Sequence, residues 1–220
     1  MEEIILTKQY QKNAIPRIDK KEVLRYAGQK AEADPKLAEE LDKVIKEAEL
    51  SYKVCFARTE AVPFEHESSD LKMLLDDASA VYLFAVTVGN ALDRQIAKYQ
   101  KTSPTKALLL DALGTERVEA LCTKFVMDMQ ANEISRGNTL TKRFSPGYGD
   151  LPLETQSEMF KALDIGKRIG VSLSDSFLMT PSKSVTALMG VKKAQVKMDM
   201  EKFCSHKCET CQNEKCQFRK

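Results

Sequence analysis

The stretch AVYLFAVTVG, residues 80–89, constrains the fold more than any other part of the chain. It is a continuous apolar run of strand length, and Gly89 ends it. A run this short cannot cross a membrane, which needs about 18 apolar residues. Apolar on both faces rather than at alternate positions, it reads as a strand buried at the centre of a sheet. The elements around it mix strand and helix irregularly. That favours an α+β fold over a doubly wound parallel sheet.

Residues 2–10, EEIILTKQY, resemble a short first strand. Helix signals follow. Asp19 can cap the segment IDKKEVLRYAG, Glu22 completes a capping box, and Gly28 ends it. Asp34 and Pro35 open a second helix, on which Leu37, Leu41, Val44, Ile45 and Ala48 form one apolar face. YKVCFARTEAVPFE is strand-like, and SDLKMLLDDA is a short capped helix. Helices are expected at about 90–101 and 105–113, with Gly114 as a break and Thr115 as a restart. Beyond the break Val118, Leu121, Cys122, Phe125, Val126 and Met129 make one buried stripe, so Cys122 belongs to the core. LETQSEMFKALDIGKRIG is expected as one helix, and VSLSDSFLMTPSKSVTALMGVKKA as two strands around the turn at Pro181.

The chain has 220 residues, 43% hydrophobic and 30% charged, which suits a globular domain with a sizeable core. A net charge of +2 gives no electrostatic case for nucleic acid, and no stretch suits a membrane span. The first residues lack the pattern of a signal peptide, so the expected location is cytoplasmic. The expected organisation is one domain over residues 1–195 and a cysteine-rich tail over 196–220.

Between the two halves of the core pattern stands TKRFSPGYGDLP, residues 141–152. It holds the motif Arg143-x-x-Pro146-Gly147-Tyr148. About thirty residues on comes LSDSFLMTPSKSVTALMG, with Ser174, Ser176, Phe177, Met179, Pro181, Ser184 and Val185. Together the two segments, in this order and spacing, resemble the activation domain of cobalamin-dependent methionine synthase. The segments DKKEVLRYAG and VYLFAVTVGNALDRQI also look like stand-alone members of that family. The resemblance covers roughly residues 15–192. It implies a twisted antiparallel sheet flanked by helices, a site for S-adenosylmethionine, and a partner that holds cobalamin. The partner would be a methionine synthase chain or another corrinoid protein, with an electron donor nearby. The implied reaction returns an oxidised corrinoid to methylcobalamin.

Residue chemistry suits such a ligand. Arg143 can grip a carboxylate bidentately. Gly147 and Gly149 let backbone approach a flat ring, with Pro146 stiffening the turn. Tyr148 offers a π face to a sulfonium or an adenine. Asp150 or Glu154 can meet an ammonium. In the family's synthase members an aromatic residue follows the Ser-Val pair. Here the matching residues are Thr186, Ala187, Leu188 and Met189, and Met189 is the candidate for that contact. Nothing in the chain resembles a general base or a nucleophile, so no catalytic residue is assigned and cobalt itself would accept the methyl group.

The tail CSHKCETCQNEKC places Cys204, Cys208, Cys211 and Cys216 close enough in sequence to share one metal centre. The spacing reads as an iron–sulfur ligand run, with zinc or redox-active thiols as the alternatives. Residues 192–220 hold eight Lys or Arg against four Asp or Glu, a surplus that can offset the charge of such a centre. Two functions follow. In one, the chain is an accessory subunit that remethylates a corrinoid with S-adenosylmethionine, and its own [4Fe–4S] cluster handles the electron. In the other, the chain only docks on a corrinoid methyltransferase and the tail is a structural zinc clip.

Overall fold

A computed structural model describes residues 4–29 and 34–194. The four cysteines of the tail lie outside these residues.

The central strand is where the sequence puts it. The run at 80–87 forms β3 (Ala80–Thr87), buried at all eight positions. It lies in the middle of a five-stranded sheet with β1 (Leu6–Tyr10), β2 (Tyr52–Thr59), β4 (Asn138–Leu140) and β7 (Ser184–Lys193). The order is β1-β2-β3-β7-β4, and every neighbouring pair is antiparallel. A two-stranded ribbon of β5 (Ser172–Leu173) and β6 (Met179–Thr180) stands apart.

Alternation along β3 builds two cores. Tyr82, Phe84 and Val86 face one way, against Leu113, Leu121 and Phe125 of α5 (Pro104–Ile134). The same core takes Val23 of α1 (Lys20–Tyr26), Leu41 and Val44 of α2 (Pro35–Glu47), and Leu92 of α4 (Asn90–Tyr99). Val81, Leu83 and Ala85 face the other way. They meet Leu71 of α3 (Ser69–Leu75), Met159 and Leu163 of α6 (Gln156–Leu163), and Ile165 and Ile169 of α7 (Ile165–Ile169). A strand covered on both faces is apolar nearly throughout, the pattern read from the sequence, and its polar last residue, Thr87, is hydrogen-bonded by Ser184.

Four local expectations change. The α1 capping box is only half made: Asp19 accepts from the N–H groups of Lys21 and Glu22, but the Asp19 N–H goes to Glu116 of α5 at 3.1 Å. Glu22 pairs with Arg25 instead. Gly114 does not break the long helix. It lies inside α5, where an added Cβ would overlap the Leu92 side chain and come within 2.8 Å of Lys183 Cγ. Glycine is there for close packing. The helix expected over 153–170 is divided by Asp164, at φ +47°, into α6 and α7. The first strand expected before Pro181 shrinks to β5 and β6, joined by a turn in which Phe177 has φ +60°.

Candidate functional site

The two motif segments meet at the outer edge of β7. Leu188 turns its N–H and C=O away from β3 and exchanges both with Phe144, at 2.8 and 3.0 Å. By the alternation of an antiparallel strand, Thr186 and Ser184 present their N–H and C=O groups on that same edge, beyond the point where the chain at Phe144 covers it. A cavity of about 730 Å³ opens there, lined by residues of both motifs and by Glu119 of α5.

The loop on one wall is shaped by its glycines. The Gly147 N–H bonds to the Leu151 carbonyl at 2.9 Å, and the Tyr148 N–H to the Ser145 carbonyl at 3.1 Å. Gly147 has φ +86° and Gly149 φ +55°, the left-handed region that side chains disfavour. A Cβ on Gly149 would also run into Asp70 Oδ2. The result holds the Tyr148 ring outward, 70% exposed, on the cavity rim.

This loop is tied to α3. The Asp150 carboxylate accepts from the Ser68 hydroxyl, from the Ser69 N–H at 2.7 Å and hydroxyl at 2.5 Å, and from the Asp70 N–H at 3.2 Å. These bonds, with Ser68 and Ser69 foremost, hold the Asp150 carboxyl well below the usual carboxylate range. In return the Asp150 N–H reaches Asp70 Oδ2 at 3.3 Å.

The opposite wall is anchored as firmly. Ser182 donates to Asp93 of α4 through its N–H, at 2.7 Å, and its hydroxyl, at 3.0 Å. Lys183 pairs with Asp111 at 2.8 Å and donates to Thr115 at 3.1 Å, both on α5. Ser184 donates its hydroxyl to the Pro181 carbonyl at 2.8 Å, and the Thr180–Pro181 peptide is cis. Phe177, Leu178 and Met179 complete this side of the cavity.

The charge at the site is one ion pair. Arg143 donates to Glu119 at 2.8 Å, with the arginine side chain 13% exposed and the glutamate 40%. Burial works to lower the Arg143 pKa, but the neighbouring Cys122 and Glu119 outweigh it and raise it. The guanidinium stays charged. Burial pushes the Cys122 thiol up to about 12, so it is an inert core thiol, as its place in the apolar stripe implies.

Of the residues singled out in the sequence, Arg143, Pro146, Tyr148 and Gly149 line the cavity, and Gly147 shapes the turn between them. Three residues are placed differently. Asp150 is spent on α3. Glu154 is exposed in a short turn and does not line the cavity. Met189 is fully buried, because its odd position in β7 turns it into the core beside α5 while Ser184 and Thr186 face the other side. Glu119 and Gln156 are the polar lining residues that the motifs do not contain. A charged residue on the flank of an otherwise apolar helical stripe was the one sign of Glu119. Among the described residues no group of three or more His, Cys, Asp or Glu is placed to hold a metal, and no helix is long and apolar enough to cross a membrane.

No curated protein matches the chain. Among solved structures, it is similar in fold to one described as the crystal structure of the MetH reactivation domain bound to AdoHcy. That match has a TM-score of 0.60 at 14% identity and covers 88% of this chain and 80% of that one. The family described as "Vitamin B12 dependent methionine synthase, activation domain" matches residues 68–216, well over half of the chain. The match runs through both walls of the cavity, and the chain belongs to the family of vitamin B12-dependent methionine synthase activation domains.

Proposed function

We propose that the cavity binds S-adenosylmethionine and presents its methyl group to a corrinoid held by a partner, for reductive remethylation. The observation that carries this is the meeting of the two motif segments around one cavity with an Arg143–Glu119 pair in its wall. The amino-acid end of S-adenosylmethionine is a zwitterion. An ion pair is its complement: Arg143 faces the carboxylate and Glu119 the ammonium. Glu119 thus takes the part expected of Asp150 or Glu154. Tyr148, exposed at the rim, lies where a sulfonium or adenine can meet its ring face. The open edge of β7 at Thr186 offers an N–H and a C=O side by side, which suits the paired donor and acceptor on the edge of adenine.

The reaction needs no proton transfer from the protein. One electron reduces Co(II) to Co(I). The cobalt electron pair then forms the Co–CH₃ bond as the S–CH₃ bond breaks, leaving S-adenosylhomocysteine. The chain's contribution is to bind, orient and exclude water around the sulfonium. The partner is a corrinoid protein of the methionine synthase type, and the setting is cytoplasmic. In the same reading Cys204, Cys208, Cys211 and Cys216 would hold a [4Fe–4S] cluster, a group that supplies one-electron chemistry, with zinc as the alternative. The support is their spacing and thiolate chemistry alone. Iron and sulfide in anaerobically purified protein, with a broad visible absorption, would bear out the cluster. Colourless protein with stoichiometric zinc would replace it with a structural clip.

The test of the function is transfer of label from methyl-labelled S-adenosylmethionine to a reduced corrinoid protein. Label on the corrinoid that depends on the chain, and falls at least about tenfold with Arg143→Lys, supports it. Transfer that is equally fast without the chain refutes it.

A further inference from the structure

Gln156 is the first residue of α6 and is 4% exposed. Thr186, 2% exposed, faces it from β7 and donates its hydroxyl to Gln156 Oε1 at 2.6 Å. This bond joins residues thirty positions apart and sets the amide's orientation. With Oε1 taken by Thr186, the two hydrogens of Nε2 remain. Among the described residues none accepts from Nε2. Nor is Nε2 sealed inside the protein: among the described residues the sealed side-chain atoms without a partner are His66 Nδ1 and Asn138 Oδ1. Gln156 and Thr186 both line the cavity, so the amide donor opens into it. Held at its oxygen by Thr186 and open to the cavity, the amide is a preset donor that a ligand acceptor can take over from solvent.

The chemistry narrows the acceptor. The carboxylate of an amino-acid ligand belongs with Arg143, whose guanidinium is charged. The apolar lining from Phe144, Phe177 and Leu178 suits a flat ring. The Thr186 backbone on the β7 edge, beside the Gln156 amide, suits a purine's polar edge. We propose that Gln156 Nε2 donates to a ring nitrogen of the purine and, held by Thr186, determines specificity for the nucleoside half of the ligand. This rests on the S-adenosylmethionine reading above. The Thr186 hydroxyl is a positioning group, since it acts through the amide.

The test is calorimetric titration of the full chain with S-adenosylhomocysteine and its 1-deaza, 3-deaza and 7-deaza analogues, each lacking one ring nitrogen. The wild type, Gln156→Glu and Gln156→Leu are compared, with melting curves to confirm that each is folded. Gln156→Glu keeps the bond from Thr186 and removes the donor. The wild type is expected to bind one deaza analogue about tenfold more weakly than the parent, the worth of one neutral hydrogen bond. Both variants are expected to bind the parent about as weakly and to lose the preference against that analogue. A purely structural role for Gln156 would not erase a preference between ligands. Deaza preferences unchanged in both variants, or none in the wild type, would overturn this inference alone. A wild type that binds neither the parent nor any analogue would overturn the proposed function and this inference with it.

Discussion

The Asp150 carboxylate accepts from the backbone N–H of Ser69, 2.7 Å away and eighty-one positions earlier in the chain. A residue two places after Tyr148 therefore caps the start of a helix on another segment. The loop that carries Tyr148 is fixed by this contact as much as by its own glycines. Replacing Asp150 with Ala should weaken binding of S-adenosylhomocysteine several-fold, although Asp150 does not line the cavity. Asp150→Asn, which keeps an acceptor, should recover part of the loss. Calorimetry on the two variants checks this, and equal affinity for both and for the wild type would contradict it.

Acid should loosen the same contact. A carboxyl whose pKa is depressed by folding stabilises the fold above its unfolded value, and the contribution fades as pH falls through the folded value. Asp150 is such a group. Asp128 is another: burial opposes its ionisation, but bonds from Lys124, Lys8 and Tyr10 prevail and bring it down to about 2. Stability should therefore be lost progressively below about pH 4, the ordinary range of an aspartate. Asp128→Asn should flatten the pH dependence of the melting temperature in that window. An unchanged slope would count against the assignment.

Gly114→Ala should destabilise the protein. In an exposed helix the same change gains about 1 kcal/mol from propensity. Here the methyl group would meet Leu92, which is fully buried, and Lys183, which is anchored to Asp111 and Thr115. Overpacking of this kind costs about 1–3 kcal/mol and should outweigh the propensity gain. Because Lys183 precedes the cavity residue Ser184, ligand affinity should fall too. Denaturant unfolding with and without ligand reads both effects.

Glu133 holds one end of the sheet against α5. Its fully buried carboxylate accepts from Tyr82 at 2.9 Å, Asn138 at 2.7 Å, Arg58 at 3.1 Å and Arg136 at 3.2 Å. Glu133→Ala leaves these donors without their acceptor and should cost about 3 kcal/mol or more. The cavity lies elsewhere on the sheet. A variant that remains folded at low temperature should therefore bind the ligand as the wild type does, which separates stability from function.

What the sequence disclosed, and what it withheld, follows from the range of the interactions. The β3 run and the α5 stripe are local patterns set by burial, and both were legible. Arg143 and the glycines announce themselves because a charged grip and left-handed turns need particular residue types. Glu119 was hidden because its significance lies in meeting Arg143, twenty-four positions later, across a tertiary contact. Gln156 was hidden for the same reason, as its meaning depends on Thr186. Met189 was misplaced by parity: in β7 odd positions face the core beside α5, and a motif read as a line cannot show which side each residue takes. Gly114 reads as a helix breaker because close packing against Leu92 leaves no trace in local sequence. Asn138 starts β4 with low strand propensity, and tertiary pairing with Lys193 overrides it.

The central claim is that the Arg143–Glu119 pair is the ligand's charged anchor. Isothermal titration of S-adenosylhomocysteine into the wild type, Arg143→Lys and Glu119→Gln tests it most directly. Measurable binding to the wild type is expected, with a loss of at least about tenfold in each variant, the worth of a charge-assisted bond. Affinity unchanged in both variants, with the fold intact, would contradict it.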